Sequence, residues 1–182
     1  MIRYIKGDIT KSDCDIICHQ VNCQGAMNSG VAKAIREKWP EVYEVYNTWC
    51  TRFAWSKDLL GKMQAIEIDS IKKRYVVNLF AQQYYGYEGA RYTDYEAFYN
   101  SISHLAIELA AAPKKTIAFP YKIGCVRGGA NWNIIRTMIE EVFKDRDVYF
   151  YYLNDEDLEF FDKMLIKEMT LEEIKEGLEI NV

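Results

Sequence analysis

The chain has 182 residues, enough for one domain or a domain with an appendage and short for two. At 49% hydrophobic and 14% aromatic it can bury a core, which excludes a disordered chain. Its formal net charge of −4 excludes a surface built wholly to neutralise nucleic-acid phosphates, although a local basic site is still open to it.

No apolar run approaches the ~20 residues of a membrane span, and Met1–Gly7 lacks the apolar core of a signal peptide. The five cysteines, Cys14, Cys18, Cys23, Cys50 and Cys125, form an odd set that reads as reduced thiols in a cytoplasmic protein. In chain order, Ile2–Lys6 reads as a strand ending at Gly7-Asp8, and Asp15–Val21 as a buried strand that becomes polar towards its end. Ser29 is placed to cap a helix reaching about Trp39, where Pro40 stops it, and a second helix follows from Glu41 to about Phe53. Lys62–Asp69 and Arg74–Phe80 read as two strands joined by a polar turn. Thr93-Asp94-Tyr95-Glu96 has the form of a capping box, followed by the helical stripe Tyr95, Phe98, Ile102, Leu105 and Leu109. Thr116–Phe119 is a strand, Lys122–Ala130 a glycine-rich loop, Trp132–Lys144 a helix and Val148–Leu153 the last strand.

Strands alternating with helices predict an α/β layered domain with a parallel or mixed sheet, and in such sheets ligands sit beyond the carboxyl ends of the strands. The loops His19–Ser29 and Tyr121–Ala130 both leave a strand and precede a helix, so two helix N-termini are expected to present free N–H groups to one anion. In the first loop, His19, Gln20 and Asn22 can bond a sugar, and a neutral histidine can order or deprotonate water; the same groups can instead serve the loop's own backbone. In the second, Gly124, Gly128 and Gly129 let the backbone approach a pyrophosphate and Arg127 adds charge, although neither a Walker loop nor the dinucleotide fingerprint is present. Cys14, Cys18, His19 and Cys23 match no zinc spacing, and a strand would send Cys18 and His19 to opposite faces, so no metal is expected. Cys125 is read as a small buried thiol rather than a nucleophile, and Tyr84-Tyr85-Gly86-Tyr87 as either a ligand rim or loop aromatics packed on the surface.

Gly7-Asp8-Ile9-Thr10, His19–Gly25, Ser29-Gly30-Val31-Ala32 and Ile123-Gly124-Cys125 with Gly128-Gly129 before Asn131-Trp132 together resemble a macrodomain over about residues 1–153. The His-x-x-Asn-Cys-x-Gly form, Leu59-Leu60-Gly61-Lys62 and Tyr92–Glu96 are similar to the yeast-type ADP-ribose 1''-phosphate phosphatases and their bacterial and phage relatives. The resemblance implies a three-layer α/β/α fold with a mixed central sheet that binds ADP-ribose and needs no cofactor. It implies that Asp8, with the Ile9 backbone, meets the adenine, that Tyr152 or Leu153 flanks it, and that Asn22 binds the distal ribose. Ser29, Gly30 and Val31 would cradle the diphosphate from one side, and Gly124, Cys125, Val126, Arg127 and Gly128 from the other. His19 would activate water at the distal end.

Two departures bear on the chemistry. Asn131 stands where relatives carry Asp, and Gln82 or Gln83 with Gly128 stand where a glycohydrolase branch has Lys and Asp. The resemblance therefore implies hydrolysis at the distal end of ADP-ribose, by 1''-phosphate phosphatase or ADP-ribosyl ester chemistry, or else a non-catalytic reader or scavenger. Nucleic acid enters only as an ADP-ribosylated substrate, and no membrane is involved. Residues 155–182 lie outside the resemblance and carry ten acids against three bases, a net −7 that leaves residues 1–154 at +3. Leu158, Phe161 and Leu165 suit a helix docked on the body, and Thr170–Glu173 the start of another, so the chain divides into a domain 1–154 and an acidic helical extension 155–182.

Overall fold

The computed structural model describes residues 1–54, 57–112 and 114–167. Its strands are β1 (Ile2–Lys6), β2 (Ile16–Asn22), β3 (Met63–Asp69), β4 (Arg74–Gln82), β5 (Ile117–Pro120) and β6 (Val148–Tyr152). Its main helices are α1 (Gly30–Lys38), α2 (Pro40–Arg52), α3 (Tyr95–Glu108) and α4 (Trp132–Val142), with a further helical segment over 160–167. The strands form one sheet in the order β1-β6-β5-β2-β4-β3, parallel throughout except for the antiparallel β3–β4 pair. The sheet is therefore mixed, and the carboxyl ends of β1, β6, β5, β2 and β4 lie along one edge.

Side-chain alternation along the strands divides the core into layers. Cys18, Val77, Leu79, Phe119 and Phe150 meet Phe98, Ile102 and Leu105 of α3 and Trp132, Ile135 and Ile139 of α4. On the other face, Ile17, Val76 and Ala118 meet Ile35 and Val42 of α1 and α2, and Val21 and Phe80 meet Tyr46 and Cys50 of α2. Each large apolar side chain fully buried in these layers contributes about 1.5–3 kcal/mol. The result is the expected three-layer α/β/α sandwich.

Two local expectations change. Helix α3 is capped by Asp94, whose Oδ1 accepts the Ala97 N–H at 2.9 Å, rather than by Thr93. Asp caps at least as well as Thr, which frees the Thr93 hydroxyl for bonds to other loops. The extension docks through Leu158, buried in the main core, and Asp162, 1% exposed, whereas Phe161 stays 55% exposed. Its hydrophobic spacing predicted the helix but not the polar anchor. The helix start expected at Thr170–Glu173 lies outside the described residues.

Candidate functional site

A cleft of about 410 Å³ opens over the carboxyl ends of β2, β4 and β5. Its first wall is the start of α1. Ser29 occupies the N-cap position, but its side chain makes no capping bond, and the N–H groups of Gly30, Val31 and Ala32 have no acceptor among the described residues. Unpaired N–H groups and the positive end of the helix dipole thus face the cavity.

The opposite wall is the glycine loop. Bonds from Cys125 N–H to the Lys122 carbonyl (2.9 Å), Gly129 N–H to Cys125 (2.9 Å) and Ala130 N–H to Gly124 (3.1 Å) coil it tightly. The N–H groups of Gly124, Val126, Arg127 and Gly128 are left without acceptors among the described residues, a concavity of donors suited to an anion. This wall does not use a helix N-terminus, contrary to the expectation of two. Asn131 Oδ1 closes α4 by accepting the Asn133 N–H at 2.9 Å, and the cleft lining stops at Gly128. The donors come from the loop itself.

The loop can lie this close to the sheet only because of its glycines. A Cβ on Gly128 would come within 2.1 Å of Thr93 Oγ1 and 2.4 Å of the Gly124 carbonyl oxygen, and one on Gly124 within 2.4 Å of Gln20 Oε1. Gln20 Nε2 donates to Gln82 Oε1 (2.7 Å) and Thr93 Oγ1 (2.8 Å), and Thr93 donates to the Gly124 carbonyl (2.7 Å). Gln20 Oε1 is buried without a donor. This Gln20–Gln82–Thr93 network is the part of the site that sequence reading passed over as a support. Gln20's place on the β2 face opposite His19 was its available signal.

His19 forms the floor and is 1% exposed. Gln64 is oriented by its bond to the Val45 carbonyl (3.4 Å) and accepts from Asn78 Nδ2 at 2.9 Å. Asn78 Oδ1, 2.5 Å from His19 Nε2, must then accept, so the ring proton sits on Nε2. Nδ1 is left as a buried acceptor with no partner. Burial lowers the His19 pKa to about 4, outweighing the bond to Asn78, and the ring is neutral at pH 7.

Asn22 is largely occupied by its own loop. Its Oδ1 accepts from the Gln24 N–H (2.9 Å), the Ala26 N–H (3.2 Å) and the Tyr46 hydroxyl (2.9 Å), and its Nδ2 donates to the Ala26 carbonyl (2.7 Å). One Nδ2 hydrogen is left for a ligand. Cys125 does not line the cleft; its Sγ lies 3.4 Å from the Ile123 carbonyl, and burial pushes its pKa up to about 12, which leaves no thiolate at neutral pH. Cys18 packs on the α3–α4 side of the sheet, away from His19.

Asp8, Ile9 and Tyr152 also stand outside the lining, grouped at the ends of β1 and β6. The Gly7 N–H bonds the Tyr152 carbonyl at 2.8 Å; Asp8 Oδ1 accepts from Thr10 N–H at 2.9 Å, and its Oδ2 has no bond among the described residues. Tyr85 and Tyr87 rim the mouth, with the Arg127 guanidinium 4.6 Å from the Tyr87 ring centre. Among the described residues no carboxylate lines the cleft, whose charged members are Lys122 and Arg127.

Fold and site together define an α/β domain with a cleft at its strand ends lined by unpaired backbone N–H groups. Residues 18–139 match the family model described as Macro domain, and the chain belongs to that family. It is 33% identical over 101 residues to the ADP-ribose 1''-phosphate phosphatase of Debaryomyces hansenii, a match covering 47% of this chain and 56% of that protein. It is 24% identical over 145 residues to the DNA ADP-ribosyl glycohydrolase of Mycobacterium tuberculosis, covering 79% and 39% respectively. The chain thus spans between two fifths and just over half of these relatives.

Among solved structures, the macrodomain of Mycobacterium tuberculosis DarG superposes with a TM-score of 0.71 at 21% identity, over 85% of this chain and 99% of that one. Thermosipho africanus DarTG in complex with ADP-ribose gives 0.70 at 18% identity, over 87% and 43%. These two likenesses concern the fold. No helix among the described residues is long and apolar enough to cross a membrane.

Proposed function

We propose that the chain binds ADP-ribose or a derivative in this cleft and hydrolyses it at its distal end, as a 1''-phosphate phosphatase or an ADP-ribosyl ester hydrolase. One observation carries the reading: the unpaired N–H groups of Gly30–Ala32 face those of Gly124–Gly128 across a single cavity, a setting for a diphosphate. The named activity of the Debaryomyces relative and the ADP-ribose in the Thermosipho structure agree with it. Asn22 offers its remaining N–H to the distal ribose, while Asp8 Oδ2, Ile9 and Tyr152 lie one strand-end further on, suited to the adenine. His19 is assigned the chemistry: its Nδ1 lone pair is unpaired, though covered by protein atoms in the ligand-free structure, and the loop N–H groups are placed to stabilise charge developing on phosphate. The five unpaired thiols suit a cytoplasmic setting.

A cleft lining with no carboxylate among the described residues favours a second reading, a non-catalytic ADP-ribose reader. Asn131 does not decide between them, because its side chain is engaged in capping α4. Calorimetry with ADP-ribose and phosphate release from ADP-ribose 1''-phosphate separate the two. Binding with turnover that His19→Ala abolishes supports the hydrolase; binding with no turnover leaves the reader; no binding discards both.

A further inference from the structure

The first part of the acidic segment after β6 packs against the base of the glycine loop. Asp162 is almost wholly buried and meets four donors: the Tyr4 hydroxyl (2.7 Å) and Arg136 Nη1 (3.4 Å) on Oδ1, and the Tyr121 hydroxyl (2.5 Å) and Trp132 Nε1 (2.9 Å) on Oδ2. A carboxylate removed from water needs such a set, so this contact is held firmly. The Tyr121 hydroxyl also accepts the Glu159 N–H at 2.8 Å, and the Glu159 carboxylate pairs with Lys122 Nζ at 2.7 Å. Lys122 has a φ of +55°, which non-glycine residues seldom adopt, and its carbonyl accepts the Cys125 N–H that begins the coil of the loop. Tyr121 and Lys122 both line the cleft. Three bonds from the extension therefore fix the two residues from which the donor-bearing turn departs.

We propose that residues 155–162 are a brace of the ligand site, with Glu159 and Asp162 acting as positioning residues. They hold Tyr121 and Lys122, and through them the N–H groups of Gly124–Gly128, in the anion-binding arrangement. The affinity claim rests on the reading of the cleft as an ADP-ribose site. Coupling is reciprocal: if the docked segment raises affinity for the ligand, the ligand tightens the docked segment by the same factor.

The test is hydrogen exchange on the full chain with and without ADP-ribose, together with calorimetry well below the melting temperature. In the wild type, ADP-ribose slows exchange in both 121–130 and 155–167. Asp162→Asn weakens ADP-ribose binding about tenfold and Glu159→Gln about fivefold, and each speeds exchange of 121–130 in the absence of ligand. Variants that melt earlier yet keep wild-type affinity and loop exchange overturn the brace and reduce the segment to a stabiliser. Should Asp162→Asn fail to fold, Glu159→Gln, with a side chain 51% exposed, decides alone. If the wild type binds no ADP-ribose, the proposed function falls by itself; the brace is then judged on ligand-free exchange of 121–130 in Glu159→Gln, and an unchanged rate overturns it.

Discussion

The two walls of the cleft present the same thing, a row of unpaired N–H groups, by different constructions. The first wall is a helix end left open, where Ser29 makes no capping bond and the donors at Gly30–Ala32 belong to a nine-residue helix. The second wall precedes a helix end that Asn131 closes, and its donors come from a coiled loop held from within by Gln20 and Thr93 and from outside by Glu159 and Asp162. The short helix α1 is held by its own backbone ladder together with the packing of Ile35 on the sheet, whereas a loop without such a ladder must be propped by side chains. The first wall is therefore vulnerable to charge and the second to sterics.

The largest expected effect lies on the floor beside the first wall. His19 has a pKa of about 4 in the fold against 6.5 for an unperturbed histidine, so folding favours its neutral form. That contribution is fully present above pH 6.5 and is lost as the pH falls towards 4, amounting to about 3 kcal/mol. Denaturant unfolding between pH 7 and 4 should show the loss, and His19→Gln, which keeps a donor for Asn78, should remove His19's share of the slope. An unaltered slope in the variant would mean that His19 is not held neutral by burial.

On the second wall, Gly128→Ala puts a methyl group where Thr93 Oγ1 and the Gly124 carbonyl already are. Overpacking of this kind costs about 1–3 kcal/mol. Because the strain falls on the donors themselves, it should appear as ADP-ribose affinity weakened about tenfold or more by calorimetry. Wild-type affinity would mean that the loop yields easily and needs no propping.

The sheet and its layers were legible because the short, largely apolar runs at Ile16–Val21 and Val76–Ala81, buried on both faces, and the helical stripes of α3 and α4 are local signals that tertiary packing reinforces. The helix start in the first wall was legible as well, since a capping residue followed by Gly-Val-Ala marks it. What sequence could not supply was the destination of each polar side chain. Thr93 reads as a cap but binds Gln20 and Gly124; Asn22 reads as a ribose ligand but spends most of its amide on its own loop; Asp162 reads as one acid among ten but is the buried anchor. The roles of Thr93 and Asp162 depend on partners tens of residues away and that of Asn22 on the folding of its own loop around it, and the side-chain type alone fixes none of them.

The smallest effects compare the two helix ends directly. Asn131→Ala removes a capping bond and should cost about 1 kcal/mol of stability while leaving ADP-ribose affinity unchanged, because Asn131 lies outside the cleft lining. Ser29→Ala removes no capping bond and should change stability by less than about 0.5 kcal/mol. Ser29→Asp is the sharper version, since a carboxylate at the open end satisfies the dipole and stabilises the ligand-free chain by about 0.3–1 kcal/mol. It also stands where the ligand's own negative charge would sit, so it should weaken ADP-ribose. Opposite signs in thermal melting and calorimetry are thus the mark of a helix end kept open for an anion. If Ser29→Asp stabilises the chain and leaves ADP-ribose affinity intact, the end of α1 is an uncapped terminus and nothing more, and the anion is held by the glycine loop alone.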